Sequence, residues 1–268
     1  MATMISLLVS VIILYCQVVT GNEFKPQSCL DIKRVNPSIN KNGYYTIHGG
    51  NQVFSVYCDF KSEPPFVWTL IESFSREMGK WTSTLPGHQN FQRLFTINAP
   101  FNECRPDQWK AFRLSLSKMK TIYYARSTTH WRATCNFDLY AKEIKMVFNR
   151  TDYIRSNLCH LRIQKPYSGA PCTWIDYINI RGTSCRKCLI PMWFPSNQHV
   201  CTISSLTQNY CQKIKFPNAA GLPHEYNFGT YNGYNREFSC TTYPESTTNW
   251  WYGGVYDPNM RFTDIKPL

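Results

Sequence analysis

Apolar and aromatic positions fall in short runs broken by turn-forming residues, the pattern of many short elements rather than long helices. Tyr44–His48 and Val53–Tyr57 are rich in β-branched and aromatic residues and predict two strands. Gly49-Gly-Asn-Gln52 between them predicts a four-residue hairpin loop. A third strand is expected over Phe66–Ile71, after the breakers Pro64-Pro65, and another over Tyr177–Ile180. Ser28 is placed to cap a short helix through Cys29–Arg34. That helix must end before Pro37, because a residue preceding proline avoids the helical region.

The longest apolar run is different in kind. Residues Ile5 to Val19 carry no charge, include Ser6, Ser10 and Gln17, and lead into the small residues around Val19-Thr20-Gly21. A membrane span needs roughly 20 apolar residues and is usually flanked by charges. The run predicts a secretory signal over residues 1–21. No second run of that length follows, so no transmembrane segment is expected and the localisation is extracellular.

Secretion changes how the 12 cysteines are read. Cys16 lies in the signal, which leaves an odd number in the mature chain. In an oxidising compartment most should be disulfides, with at least one thiol left over. Cys104, between Glu103 and Arg105, is the candidate. Cys29 ahead of the hairpin and Cys58 at its end are placed to join, a link worth on the order of 3 kcal/mol in the chain-entropy account. With 43% hydrophobic and 17% charged residues the chain is globular, and no internal repeat is present.

The order SC-x-DIK, NPS, GYYTI and VFSVYCDF over residues 28–60, followed by WTLIESFSR, resembles the opening of a fibrinogen-related domain. In that family a disulfide joins the cysteines that match Cys29 and Cys58. Later segments, THWRATCNF (129–137), YINIRGTSCRKC (177–188), NFGTYN (227–232) and STTNWWYGG (246–254), are similar to secreted fibrinogen-like proteins of cnidarians, including stony-coral skeletal organic matrix proteins. The resemblance implies an α+β, disulfide-stapled, fibrinogen C-terminal-like fold. An N-terminal sheet subdomain would occupy residues 22–75, and a larger loop-rich mixed region residues 76–268. The family's calcium-dependent lectins carry an Asp-rich loop with a D-x-D core, and no D-x-D occurs here. Calcium wants six to eight oxygen ligands, several of them carboxylates, so no lectin-type calcium site and no cofactor are expected. Trp250-Trp251-Tyr252 is expected to be a packing cluster.

SCRKC at Ser184–Cys188 is open to three readings: a redox pair, half a zinc site, or structural thiols. A redox pair needs a helix directly after it, and Leu189–Pro195 has two prolines and no helical period. A zinc site needs a second closely spaced pair of ligands, which Cys172, Cys201, Cys211 and His199 do not form. The expectation is two staples, each bridged to a distant cysteine. Ser115-Leu-Ser-Lys118 matches S-x-x-K without its companion motifs, and no hydrolase, metalloprotease, phosphate-loop or dinucleotide signature is present. His130 beside Cys135 would make a catalytic pair only with a free thiolate. The chain is expected not to be an enzyme.

Charge adds the functional expectation. The net charge is +12, and residues 105–190 hold sixteen Lys/Arg against five Asp/Glu while the flanking segments are almost balanced. A secreted chain does not meet nucleic acid, so the partners of a basic patch would be acidic matrix proteins or polyanionic glycans, including those of a mineral-associated matrix. Lys118, Lys120, Lys142 and Lys145 are the candidate patch, and Asn149 in Asn149-Arg150-Thr151 is the candidate glycosylation site. The primary expectation is a non-enzymatic extracellular matrix protein, of a calcified skeletal matrix, docking to anionic macromolecules through its basic middle third. The alternative is a soluble lectin-like glycan-recognition protein that stacks exposed aromatics on sugars.

Overall fold

The computed structural model describes residues 24–140, 152–160, 172–193, 201–202, 211, 228–229, 231 and 235–260. The expected signal over 1–21 lies outside them. The first helix, α1 (Cys29–Val35), starts where the Ser28 hydroxyl accepts the Asp31 N–H at 3.1 Å. It stops with the Asn36 N–H on the Ile32 carbonyl, one residue before Pro37. The hairpin of β1 (Gly43–Gly49) and β2 (Gln52–Asp59) pairs Gly43 with Cys58 and continues to Gly49 with Gln52. The expected four-residue loop is therefore a two-residue turn, Gly50-Asn51, because Gly49 and Gln52 extend the ladder. Gly50 makes this possible at φ +59, the left-handed backbone that short hairpins require.

The chain continues through β3 (Phe66–Ser75), α2 (Arg76–Gly79), α3 (His88–Phe91), β4 (Ala111–Arg113), α4 (Leu116–Tyr123) and β5 (His130–Cys135). Then come α5 (Phe137–Tyr140), β6 (Tyr153–Asn157), β7 (Cys172–Ile180), β8 (Thr183–Trp193), β9 (Cys201–Thr202), a 3-10 turn at Ser239–Thr241, and β10 (Thr247–Val255). The strands form one sheet in the order β1-β2-β3-β10-β5-β6-β7-β8-β9, with β4 on β3, and every pairing is antiparallel. The last strand thus sits in the middle, between β3 and β5. The fold is mixed helix and sheet, mostly antiparallel sheet, held by disulfides.

Both faces of β3 and β10 are covered, which is why they read as near-continuous apolar runs rather than alternating ones. Trp250, Trp251 and Tyr252 are fully buried in β10. Trp250 stacks on Trp131 with centroids 5.6 Å apart and donates its indole N–H to the Phe228 carbonyl at 2.9 Å. Trp251 donates to Thr134 Oγ1 at 2.9 Å and meets Phe137 edge-on. Each indole buries its area and keeps a partner for its one polar atom. The aromatic run is core.

Four disulfides lie among the described residues. Cys29–Cys58 ties α1 to the end of the hairpin, with Cα atoms 5.5 Å apart. Cys135–Cys240 joins β5 to the 3-10 turn across 105 residues, and Cys172–Cys211 spans 39. The fourth corrects the reading of SCRKC: Cys185 and Cys188 are bonded to each other, not to distant partners. Residues three apart on a regular strand point to opposite faces. Lys187, at φ +48, kinks β8 between the two cysteines and brings them together. These crosslinks fit an oxidising compartment, and among the described residues no helix is long and apolar enough to cross a membrane.

Candidate anion-binding surface

Eleven of the sixteen basic residues of 105–190 are described, and six of them are paired with carboxylates of the chain. Arg113 and Glu72 form an ion pair in which both side chains are fully buried. Arg113 also donates to the carbonyls of Arg93 (3.0 Å) and Leu94 (2.8 Å). Arg132, fully buried, lies 2.7 Å from Asp59 and is held between the rings of Trp68 and Trp251, 4.7 and 4.5 Å from their centroids. Arg155 pairs with Glu63, Arg181 with Glu237, Arg105 with Asp107, and Lys118 with Glu103. Only Asp107 belongs to the same segment. The other acids come from elsewhere in the chain.

Lys118 is therefore not a free surface cation, and its place in the expected patch is corrected. It lies on the side of α4 that carries Met119, Ile122 and Tyr123 into the core. Its side chain is 10% exposed, its ammonium 3.2 Å from Glu103 and 5.3 Å from the Phe54 ring centroid. Burial pushes the Glu103 carboxyl up, but hydrogen bonds from Ser115 and Lys118 outweigh it and hold the group below its ordinary range. Lys120, on the opposite side of α4, is exposed. Lys142, Lys145 and Asn149 lie outside the described residues.

Five described cations remain exposed and make no ion pair among the described residues: Lys110, Lys120, Arg126, Arg186 and Lys187. Lys120 and Arg126 flank Tyr124, which is 68% exposed at the end of α4. Arg186 and Lys187 sit at the kink of β8, Arg186 5.1 Å from the Tyr177 ring centroid. Sequence reasoning picked out Lys120 and missed the other four, because free and paired cations look alike in a chain.

The remaining polar groups of the THWRATCNF segment are structural. Cys135 is disulfide-bonded, which removes it as a nucleophile beside His130. His130 holds Nδ1 2.7 Å from Thr129 Oγ1 and Nε2 3.5 Å from Asp176. Burial pushes its pKa down from 6.5 to about 4, against the pull of Asp176. The unfolded chain therefore binds a proton between pH 6.5 and 4 that the folded chain refuses, so stability falls as pH drops through that window. Complete titration corresponds to about 3 kcal/mol. Urea midpoints measured from pH 7 to 5 should change less favourably with falling pH for the parent than for His130→Gln; parallel slopes would show that His130 is not the group. Glu63 and Asp152, raised by burial despite their partners, act in the opposite sense above their ordinary pKa values, so the difference between the parent and His130→Gln isolates the histidine.

Cys104 and Cys159 are both exposed and free. Among the described residues no group of three or more His, Cys, Asp or Glu is arranged to hold a metal ion. The class defined by this geometry is a disulfide-stapled protein of mixed helix and mostly antiparallel sheet. No known protein-family model matches the chain, and no curated protein is significantly similar to it.

Proposed function

We propose that this is a secreted, non-enzymatic extracellular matrix protein of the fibrinogen-related class that docks to acidic matrix proteins or polyanionic glycans, in a calcified skeletal matrix. One observation carries the reading: after six pairings within the chain, Lys110, Lys120, Arg126, Arg186 and Lys187 are left exposed without an ion pair among the described residues. Single exposed ion pairs contribute only ~0–1 kcal/mol, so docking requires several at once on a polymeric anion. The disulfides suit this role, since they hold the surface in one shape outside the cell.

Retention on a heparin resin is expected at low salt, with release well below 1 M, where the Debye length is about 3 Å. A variant with all five cations changed to Gln should elute at markedly lower salt. Lys118→Gln should elute with the parent, because Lys118 is already paired. Equal elution of parent and five-fold variant would remove this surface from the proposal.

A further inference from the structure

Between β3 and β4 the chain folds around an open cleft of about 410 Å³ lined by Trp81, His88, Gln89, Gln92 and Arg93. Its backbone is fixed from several sides. The Trp81 N–H donates to the Tyr231 carbonyl at 3.0 Å, and the Tyr231 N–H to the Gly79 carbonyl at 2.8 Å. Gln92 Nε2 donates to the Lys80 carbonyl at 3.2 Å, closing the loop on itself. Gly87 sits at φ +78, and a Cβ there would meet the Phe101 ring at 2.0 Å. That ring packs edge-on against Phe91 in α3. The Arg93 carbonyl is gripped by the buried Arg113.

On this frame the Gln89 and Arg93 side chains and one ring nitrogen of His88 are left unengaged among the described residues. Trp81 is 47% exposed, unlike the other tryptophans that the core absorbs at β3, β5 and β10. The exposed Arg93 guanidinium and the exposed Gln89 carboxamide make no hydrogen bond or ion pair among the described residues. His88 turns Nδ1 to the Leu85 carbonyl at 2.8 Å, which in the neutral ring leaves Nε2 as an acceptor. The cleft volume lies within the roughly 300–1,000 Å³ of small-ligand sites.

A simple anion would have no use for the indole, and an apolar ligand would leave His88, Gln89 and Arg93 unmatched. The combination fits a ring with an apolar CH face, hydroxyls at its edge and one negative group. We propose that this cleft binds an acidic saccharide residue, a carboxylated or sulfated pyranose stacked on Trp81 with its anionic group on Arg93. Gln89 and His88 meet the ring hydroxyls, and the planar guanidinium meets the two oxygens of a carboxylate or sulfate side by side. The glycan-recognition alternative of the sequence thereby gains a location in residues 81–93, outside the basic segment and independent of the proposed polyanion surface.

Calorimetric titration of the whole protein at 0.15 M salt tests this with three probes: hyaluronan tetrasaccharide, chondroitin 4-sulfate tetrasaccharide and neutral chitotetraose. At least one acidic probe should bind and quench tryptophan fluorescence, with chitotetraose roughly tenfold weaker or worse. Trp81→Ala and Arg93→Gln should each weaken acidic binding by about tenfold or more while keeping the parent urea midpoint, since both side chains are exposed. The five-cation variant should bind the tetrasaccharide unchanged, which separates the cleft from the polyanion surface. Three outcomes each overturn the proposal: no binding of either acidic probe, equal binding of chitotetraose, or unaltered binding by Trp81→Ala. Loss in the five-cation variant alone overturns it too, and assigns the sugar to the other surface.

Discussion

Arg113→Met is expected to lower the stability of the fold by about 3–5 kcal/mol, measured by urea denaturation, because it strands a fully buried carboxylate. Glu72 has no water to turn to: both side chains of the pair are fully buried within the sheet, where β4 lies on β3. The substitution also takes a donor from the Arg93 and Leu94 carbonyls, adding the cost of buried acceptors left unmet. The diagnostic companion is Glu72→Leu with Arg113→Met. Replacing the whole pair by apolar side chains removes the desolvation penalty along with the attraction and should recover most of the loss. A single variant within 1 kcal/mol of the parent would mean that solvent reaches the pair, contrary to its burial.

The second large effect is expected at Cys135–Cys240. Changing both residues to Ser frees a loop of 105 residues in the unfolded chain, and chain entropy assigns such a link about 5 kcal/mol. The same formula gives Cys185–Cys188, only three residues apart along one strand, about 2 kcal/mol. Thermal melting of the two Cys→Ser pairs should therefore rank them far apart, the long link being the more damaging. Reversal of that order would show that local strain at the β8 kink, not loop closure, governs the crosslinks.

The local parts of this fold were legible because local rules decide them. Ser28 and Pro37 bracket α1, and the composition of β1, β2 and β3 marks them as strands whatever lies beside them. The hairpin loop was read two residues too long, since glycine marks a turn without saying where the ladder stops. Lys118 illustrates the larger limit. Its segment carries an excess of eleven positive charges, yet Glu72, Asp59, Glu63 and Glu237 reach in from distant positions to neutralise four of its arginines, and Glu103 neutralises Lys118. Net charge counted along a chain says little when pairing is long-range. One signal was present and unused: a glutamate inside the apolar run of β3, and an arginine between Phe112 and Leu114, each announce a buried counter-ion. For the cleft no such signal exists. Trp81, Gln89 and Arg93 are ordinary surface residue types until the Tyr231 and Gly87 contacts shape the backbone around them.

The central position of β10 fixes when this molecule can become itself. Synthesis delivers the chain from the N-terminus, and β3 and β5 emerge with their facing edges bare. They cannot complete their ladders on each other, because the strand that fills the gap is made last. Until residues 247–255 arrive, the growing chain presents two open strand edges, the kind of surface that recruits other strands and invites aggregation. Pairings so distant in sequence also form slowly. Assembly is thus postponed to the end of synthesis, and a chain stopped short of β10 is left as two unfinished half-sheets.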